Sequence, residues 1–567
     1  MGSWEQAKFM VKSIPVNPCR LSGGLPSAAR RRRCAPASFQ PSLHLRFTVS
    51  ARRPQTEASS NDVKVCGISI CPYNQTVLKL TAQDFHRRYA PTECDLRIFL
   101  RERGVEESPP SEFEQVLMRL GQRYEAKHLA TFPEAIDLRS FGSEKRFEQT
   151  VTLVKDGCPV LYQPVLKIQT TLDDVECEFV GEPDFLLRES NGYIIRDVKI
   201  ARRVDEEHHP EILFQLQFYG WLYEQVFGSP PIRLEALNGQ GDIVPIPLNH
   251  QAVVAELRTL IRLKRLSQEP YEPVGWSKCV ECGFRDHCWP KAVTAKDVAL
   301  VYEVDQSLAA ELHERGAASI PQLVEHFNVD SLGELKRPWG KKFQKVGKRA
   351  GMILQRARVV LSGREVVLHP PIIPHHEHYV MFDLEGMPPH LDELDKIYLW
   401  GTQVFGKTQG KFMPAVSGFG DDGDREGWKQ FLVNAQSIFQ QFGDIPFIHW
   451  HHYEKTHLDD YVKRYGDAEG IASRVRRNLL DLLPIARDSV LLPLSSYSLK
   501  EVEKYVGFKR SQTEYGGSWS IAKYIEATET RDEDSRNKLV GEILIYNQED
   551  LAATWAVFEW LRSKAMK

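Results

Sequence analysis

Apolar and polar positions along the chain follow three successive patterns. Between about residues 63 and 290, helix-spaced apolar positions alternate with short runs of β-branched and aromatic residues, which predicts mixed α/β structure. Residues from about 301 to 364 have helical spacing interrupted by glycine, which predicts a helical segment. From His378 onward, an α/β pattern that begins with a strand returns. The chain is therefore predicted to be a multidomain α/β protein, and no apolar run in it reaches membrane-spanning length.

The periodicity also places individual elements within these regions. A helix is expected directly after Thr81, and a strand is expected from His378 to Gly386. The other helices are predicted over 113–129, 212–227 and 251–266, and the other strands within 160–170, 177–187 and 193–200. These elements carry the polar residues from which a function can be argued.

The charge is distributed unevenly along the chain. The 567 residues have a net charge of −3, yet residues 1–56 hold ten Lys/Arg against one acid, Glu5, and this net of +9 leaves −12 for the remainder. We expect residues 1–62 to form a disordered basic leader, either an organellar transit peptide or an unstructured extension. The protein would then act in a plastid or mitochondrion, or, if it is bacterial, in the cytoplasm at the nucleoid. No membrane partner is expected.

Two predicted strands in the first region end in acidic residues. Asp184 closes one strand, and Asp197 and Lys199 close the next, on one face because strand side chains alternate. Two carboxylates can hold Mg2+ or Mn2+. A lysine beside them can stabilise negative charge on a phosphate. Glu125 offers a further acid from a predicted helix. The alternative is a pair of surface strands with ordinary charges.

Further along the chain, Gln215 and Tyr219 lie one helical turn apart on a common face. The ordered series resembles the PD-(D/E)XK nucleases of the RecB family. That resemblance implies a restriction-endonuclease-like domain in which Asp184 and Asp197 bind the metal ion and Lys199 assists catalysis. It also implies that the Gln/Tyr pair engages nucleic acid. The complete series is Glu125, Asp184, Asp197, Lys199, Gln215 and Tyr219, with Tyr124 where many relatives carry histidine.

Three cysteines close the first region with the spacing C-x2-C-x5-C, at Cys279, Cys282 and Cys288. Cys94, near the start of the region, can supply a fourth thiolate. Spacing alone allows either a tetrahedral Zn2+ or a [4Fe–4S] cluster. One cysteine before the nuclease core and three after it resembles the iron–sulfur RecB-like nucleases, including AddB-type and CRISPR-associated exonucleases. The resemblance implies a [4Fe–4S] cluster that staples the two ends of the domain, with Zn2+ as the alternative.

The middle region contains a strongly basic segment. Residues 336–358 include nine Lys/Arg and no acid, and helical spacing predicts a basic face opposite an apolar stripe. Such a face would neutralise phosphates without reading sequence, whereas an ordinary solvated surface is the alternative. The preceding segment, with Gly316 between two helical runs, resembles a helix-hairpin-helix. The candidate nucleic-acid contacts are Lys341, Lys345, Lys348, Arg349 and Arg356.

A second set of acids lies in the last region. Asp383 and Glu385 share one face of the predicted strand, and Tyr546 and Asp550 lie one helical turn apart near the end of the chain. Paired acids of this kind can assemble a two-metal site. With Glu454 after an intervening strand, the pattern resembles the DEDD 3′–5′ exonucleases of the ribonuclease-H-like fold. Glu454 occupies the position where those enzymes usually carry aspartate.

Together these motifs resemble a family of bacterial RecB-like nucleases with two nuclease domains. The predicted units are a nuclease domain over 63–298, a helical connector over 299–366 and a ribonuclease-H-like domain over 367–567. The expected activity is metal-dependent hydrolysis of DNA, single-stranded or at its ends, in DNA repair, recombination or degradation. The alternatives are an RNA 3′–5′ exonuclease and a nucleic-acid-binding scaffold with weak catalysis that recruits a helicase in trans; Tyr124 and Glu454 favour the scaffold.

Overall fold

The computed structural model describes residues 77–340, 342–387, 396–418 and 420–565. The predicted leader and Lys341 lie outside these ranges. None of the helices within them combines the length and apolar character that a membrane span requires. The helices are α1 (Ala82–Tyr89), α2 (Asp95–Glu102), α3 (Glu112–Leu129), α4 (Ser143–Lys155), α5 (Pro210–Phe227), α6 (His250–Arg265), α7 (Trp276–Cys279), α8 (Arg285–Ala295), α9 (Gln306–Glu314), α10 (Ile320–His326), α11 (Val329–Glu334), α12 (Ala350–Ser362), α13 (Gly420–Phe442), α14 (Tyr453–Tyr465), α15 (Ile471–Asn478), α16 (Leu482–Ser489), α17 (Leu499–Tyr505), α18 (Gly517–Glu529) and α19 (Glu533–Ala565).

The strands form two large sheets and three small ones. The large sheets have the orders β2-β3-β6-β7-β8-β9 and β15-β14-β13-β16-β17, and the small ones are β1-β5-β4, β10-β11 and β12-β18. The strands are β1 (Leu78–Thr81), β2 (Ile136–Asp137), β3 (Val160–Tyr162), β4 (Leu166–Leu172), β5 (Val175–Gly181), β6 (Phe185–Glu189), β7 (Gly192–Val198), β8 (Arg233–Leu237), β9 (Ile243–Ile246), β10 (Lys336–Trp339), β11 (Lys342–Lys345), β12 (Val366–Val367), β13 (His378–Met387), β14 (Lys396–Gly406), β15 (Met413–Val416), β16 (Phe447–His449), β17 (Leu479–Asp481) and β18 (Val490–Leu491).

The first module is built around helix α5. Nine of its eighteen residues are buried, among them Phe218 and Leu222, and it packs against strands of both the six-stranded and the three-stranded sheet. A helix with apolar residues on most of its surface is stable only when it is covered on several sides. Strand β7 has three consecutive buried residues, Tyr193 to Ile195, as expected for a central strand with both faces covered. The predicted α/β structure of this region is confirmed.

The middle segment corrects the prediction of one continuous basic helix. Instead, β10 and β11 form an antiparallel hairpin, and α12 begins only at Ala350. Pro338 disfavours a helix here because it lacks an N–H group. Gly340 and Gly347 have φ values of 55° and 60°, which glycine adopts without strain. The apolar stripe of Ile353, Leu354 and Ala357 is buried as predicted.

Arg356 is the residue most affected by this correction. The sequence predicted it on the exposed basic face, but it is only 3% exposed and pairs with Glu303. Its guanidinium also stacks over the ring of Tyr302 at 4.7 Å. Because α12 begins only after the hairpin, Arg356 lies on its buried face. Lys348 lies in the turn before α12 and is exposed.

The last module is a five-stranded sheet in which β13 is central. It pairs antiparallel with β14 and parallel with β16, and α19 packs against both β13 and β14. Helix α18 packs against α19 on one side and against α3 of the first module on the other. The strand predicted from His378 and the late helix are both confirmed. Together, the two α/β modules and the segment between them confirm the predicted fold class.

The burial of Arg356 predicts a structural role for it. We expect Arg356→Ala to destabilise the protein by about 1–3 kcal/mol, because it leaves Glu303 without its cation and removes the contact with Tyr302. Lys348→Ala, at an exposed position, should change stability by less than about 0.5 kcal/mol. Chemical unfolding of both variants tests this, and equal stability of the two would contradict the burial of Arg356.

Candidate active sites

Three carboxylates converge in the last module. Asp383 and Glu385 lie on the same face of β13, and Asp550 reaches them from α19, so that one oxygen of each lies within 4.8 Å of the others. Among the described residues this is the one group of three or more ligand side chains with such spacing. Carboxylate oxygens are the ligands that Mg2+ and Mn2+ prefer. The site can therefore hold a divalent cation.

Burial and mutual repulsion shape the electrostatics of this trio. Burial, followed by the negative charge of Asp550, raises the pKa of Glu385 to about 8. The same two causes raise the pKa of Asp383 well above its usual range. Lys500 and Arg510 both contact a carboxylate oxygen of Asp550. The site thus holds more negative charge than its own cations neutralise, which favours binding of an external cation.

The helix α19 is held close to the sheet by a specific contact. Asn547 donates a hydrogen bond to Asp383 over 2.7 Å, and Gly401 lies directly opposite Asp383 on β14. A Cβ atom at Gly401 would fall 1.8 Å from Oδ1 of Asn547. Only glycine permits this approach, so the glycine on the neighbouring strand helps to position Asp383.

Two other residues predicted for this site lie beside the trio. Glu454 lies in the first turn of α14, outside the trio, and its carboxylate is 3.2 Å from Nδ1 of the buried His449. Burial raises the pKa of Glu454, and His449 opposes that shift. Tyr546 is buried beside the trio, with Lys500 Nζ 4.5 Å from the centre of its ring. A catalytic role for Glu454 and for Tyr546 stays a prediction.

The first module brings its predicted acids and lysine together at the end of β7. Asp197 is 1% exposed and accepts a hydrogen bond from the backbone N–H of Asp184 over 3.0 Å. Lys199 Nζ lies 3.0 Å from an oxygen of Asp197, so these two side chains share a face as predicted. Burial and the charge of Asp197 raise the pKa of Asp184. Burial would lower the pKa of Lys199, but attraction to Asp197 and Asp184 outweighs it and raises that pKa.

Glu125 joins this cluster through a residue that the sequence did not single out. Gln163 Nε2 donates to Glu125 over 2.6 Å and to Asp184 over 3.0 Å. Tyr162 also donates a hydrogen bond to Glu125, over 2.7 Å. Gln163 has a φ of 54°, which is uncommon for a residue with a side chain. The amide of Gln163 thus bridges acids that arrive from a helix and from a strand end.

Gln215 and Tyr219 lie within the same network rather than on an open surface. Gln215 donates hydrogen bonds to Asp197 over 3.0 Å and to the hydroxyl of Tyr219 over 2.9 Å, and it accepts one from Lys199. Tyr219 is buried because Gly181 makes room for its ring. The observed contacts orient Asp197 and Lys199. Their predicted contact with nucleic acid is a separate role that these contacts do not include.

The four candidate cysteines line one cavity. Cys94 immediately precedes α2, Cys279 ends α7, and Cys288 lies in α8. Together with Cys282 they face the same space, beside Arg97 and Lys278. Burial raises the pKa of each of these thiols. Cysteines that are distant in the sequence therefore line one cavity, and their role as ligands of one group stays a prediction.

The predicted phosphate contacts that the structure describes lie in or next to the hairpin. Lys345 ends β11 and pairs with Glu334 over 2.5 Å. Lys348 is exposed and Arg349 is half-buried in the turn before α12. These three residues do not share one helical face, but they remain close along the chain. Their role in binding nucleic acid stays a prediction.

Comparison with known protein families assigns both modules. Residues 80–289 match the PD-(D/E)XK nuclease superfamily. Residues 380–562 match the RNase H superfamily. The chain joins a PD-(D/E)XK nuclease domain to an RNase H-like domain. These matches confirm the two superfamilies that the motifs predicted, and the iron–sulfur clasp stays a prediction.

Solved structures align with parts of the chain. The protein SSO0001 is 14% identical, with a TM-score of 0.21, over 38% of this chain and 86% of its own. A candidate exonuclease from Eubacterium rectale is also 14% identical, with a TM-score of 0.21, over 35% of this chain and 87% of its own. No curated protein sequence matches the chain.

Sequence reasoning missed several residues of both domains. Gln163 in the PD-(D/E)XK domain carried no spacing signal, although Tyr-Gln-Pro marks a break in the strand pattern. In the RNase H-like domain, Asn547 follows Tyr546 directly and lay within the motif already recognised. Lys500 and Arg510 lie in no motif that the sequence pattern singled out.

The raised pKa values in the RNase H-like domain predict a pH-dependent affinity for metal ions. Below a pH of about 8, Glu385 of the ion-free site carries a proton that a cation must displace. We expect the Kd for Mn2+ to rise as the pH falls below 8. The rise should be up to about tenfold per pH unit for each proton that the cation displaces. Calorimetric titration of the Asp197→Asn variant measures this site with the other one impaired. The variant Asp197→Asn/Glu385→Gln should show a flatter dependence, and a constant Kd between about pH 6 and pH 8 would contradict the prediction.

Proposed function

We propose that the protein is a metal-dependent nuclease that hydrolyses phosphodiester bonds of DNA, most simply as an exonuclease. The single observation that carries this proposal is the convergence of Asp383, Glu385 and Asp550 in a buried, acidic site. A role in DNA repair, recombination or degradation follows from such an activity, and a helicase made in trans would supply single strands. The domain boundaries at 63–298, 299–366 and 367–567 are part of the same proposal.

In the RNase H-like domain the trio would hold Mg2+ or Mn2+. A bound divalent cation supplies positive charge at the scissile phosphate and makes a neighbouring water more acidic. The protein's own groups have distinct tasks around it. Asn547 fixes the orientation of Asp383, and Lys500 and Arg510 limit the repulsion that Asp550 contributes. Asp550 pairs with Lys500 and Arg510. It would exchange these partners for a metal ion when one binds, and the two side chains could then contact a phosphate.

In the PD-(D/E)XK domain, Asp184 and Asp197 are the proposed metal ligands, assisted by Glu125. Lys199 is held beside Asp197 by its charge and by Gln215, and its ammonium group would stabilise the negative charge that develops on a phosphate bound there. Burial of Asp197 fixes its position. Gln163 donates hydrogen bonds to both Glu125 and Asp184, so its amide would have to move when a cation binds between these acids.

Single and double substitutions test which site is active. We expect purified protein to degrade labelled single-stranded DNA with Mg2+ or Mn2+, and Asp197→Asn and Asp383→Asn each to remove the activity of one domain. Each loss should exceed the roughly 10- to 100-fold that is typical for groups behind the metal ligands. The exposed acids Asp173 and Asp460, each changed to Asn, serve as matched controls in the two domains.

The double variant decides the proposal. Full activity of Asp197→Asn/Asp383→Asn would refute a role for these sites. Faster degradation of a matched RNA would favour the alternative of an RNA exonuclease, since the 2′-hydroxyl is what distinguishes the two substrates. Binding of nucleic acid without cleavage under any divalent cation would favour the scaffold.

We also propose that Cys94, Cys279, Cys282 and Cys288 hold a [4Fe–4S] cluster. All four line one cavity, and one cysteine before the domain core with three after it resembles the arrangement in the iron–sulfur RecB-like nucleases. The cluster would hold α2 against the segment around α7 and α8.

Spectroscopy distinguishes the cluster from zinc. Protein purified without oxygen should have a broad absorbance band near ~400 nm, whereas Zn2+ sites are colourless because Zn2+ is d10. The Cys282→Ser variant should lose the band, and Cys158→Ser, which changes a cysteine outside the cavity, should keep it. A colourless protein with stoichiometric zinc would contradict the cluster.

A further inference from the structure

The β10–β11 hairpin presents two large aromatic side chains to solvent. Trp339 is 59% exposed and Phe343 is 74% exposed. Trp339 pairs across the hairpin with Lys342, and Phe343 pairs with Pro338. Because cross-strand partners share a face and neighbours alternate, the two rings lie on opposite faces of the hairpin. Exposed aromatic surface of this size is unusual in a region that has its own buried core.

The base of the hairpin is anchored to the neighbouring helix. Arg337 is 1% exposed, lies 2.8 Å from Asp305 and stacks on the ring of Trp339 at 4.5 Å. The hydroxyl of Ser307 donates to the backbone carbonyl of Pro338 over 2.8 Å. The hairpin is thus tied to the start of α9, and the ring of Trp339 is oriented before any ligand binds.

The surroundings of the two rings are positively charged. Residues 336–358 contain nine Lys/Arg and no acid, although Arg337 and Arg356 are buried and Lys345 is paired. Lys336, Lys342 and Lys348 are exposed, and no described carboxylate lies within ion-pair distance of them. This segment, which lies between the PD-(D/E)XK and RNase H-like domains in the sequence, therefore combines exposed positive charge with exposed ring faces.

We propose that this hairpin binds single-stranded nucleic acid, with unpaired bases stacked on Trp339 and Phe343 and phosphates beside the neighbouring lysines. The proposal deepens the proposed nuclease function, on which it rests for its substrate. Ring faces attract single strands in particular, because the faces of bases in a duplex are already covered by stacking. Lysines alone would bind a duplex equally well through its phosphates. The surrounding positive charge complements a polyanion. It would not attract a neutral protein surface and would repel a basic one.

Binding without catalysis tests the hairpin separately from the nuclease. The affinity of the full-length protein is measured in EDTA by fluorescence anisotropy with labelled oligo(dT), oligo(U) and a blunt DNA duplex. Trp339→Ala and Phe343→Ala should each weaken single-strand binding by about tenfold, with no change in duplex binding. The conservative double variant Trp339→Phe/Phe343→Tyr should bind as the parent does, and Ile372→Ala, which also removes exposed apolar surface, should have no effect.

The dependence on salt separates stacking from charge. The aromatic variants should keep the slope of log K against log salt, whereas Lys342→Gln should lower its magnitude by about 0.7, the value for one phosphate contact on a single strand. Unchanged single-strand affinity in the aromatic double alanine variant, or an equal loss for the duplex, would overturn the proposal. Tight binding that depends on the rings, together with no cleavage in Mg2+ or Mn2+, would instead refute the nuclease function alone.

Discussion

Buried carboxylates that lie side by side are the electrostatic constraint on which both candidate sites depend. Such a cluster is unfavourable unless cations or hydrogen-bond donors compensate it. Lys199 compensates it in the PD-(D/E)XK domain, and Lys500 and Arg510 do so in the RNase H-like domain. The compensation is incomplete, since Asp184 and Asp383 still have raised pKa values. A divalent cation would neutralise the charge that the protein's own groups leave uncompensated.

Two unrelated sheets meet this constraint in the same way. In each, a central strand places two functional groups on one face, two residues apart, and a helix brings a further acid to them. Strand β7 and helix α3 have these roles in the first domain, and β13 and α19 have them in the second. The helices can approach because small or amide-bearing residues make room and bridge the gap, such as Gly401 beside Asn547. Both strands are inner strands, so the sheets fix the positions of Asp197 on β7 and of Asp383 and Glu385 on β13.

The two domains also share a packed boundary. Val116 on α3 packs with Ile525 of α18 in one apolar cluster, and Arg123 pairs with Glu529 across the same boundary. Helix α3 carries Glu125, while Ser520 of α18 contacts Tyr398 on the strand beside β13. The helix that delivers an acid to the first site therefore rests on a helix that packs beside the second. The positions of the two sites are consequently set by one continuous set of contacts.

The sequence by itself determined the two domain types, and it predicted Asp197 on β7, Asp383 and Glu385 on β13 and the three clustered cysteines, because all of these depend on local spacing along the chain. It erred at residues 336–358, where Pro338 and Gly340 outweighed helical periodicity and Arg356 turned inward. Only the tertiary structure decided that Gln163 bridges two acids and that Lys500 and Arg510 reach Asp550. Those contacts join residues distant in the chain, and no local pattern records which distant side chain will neutralise a buried charge.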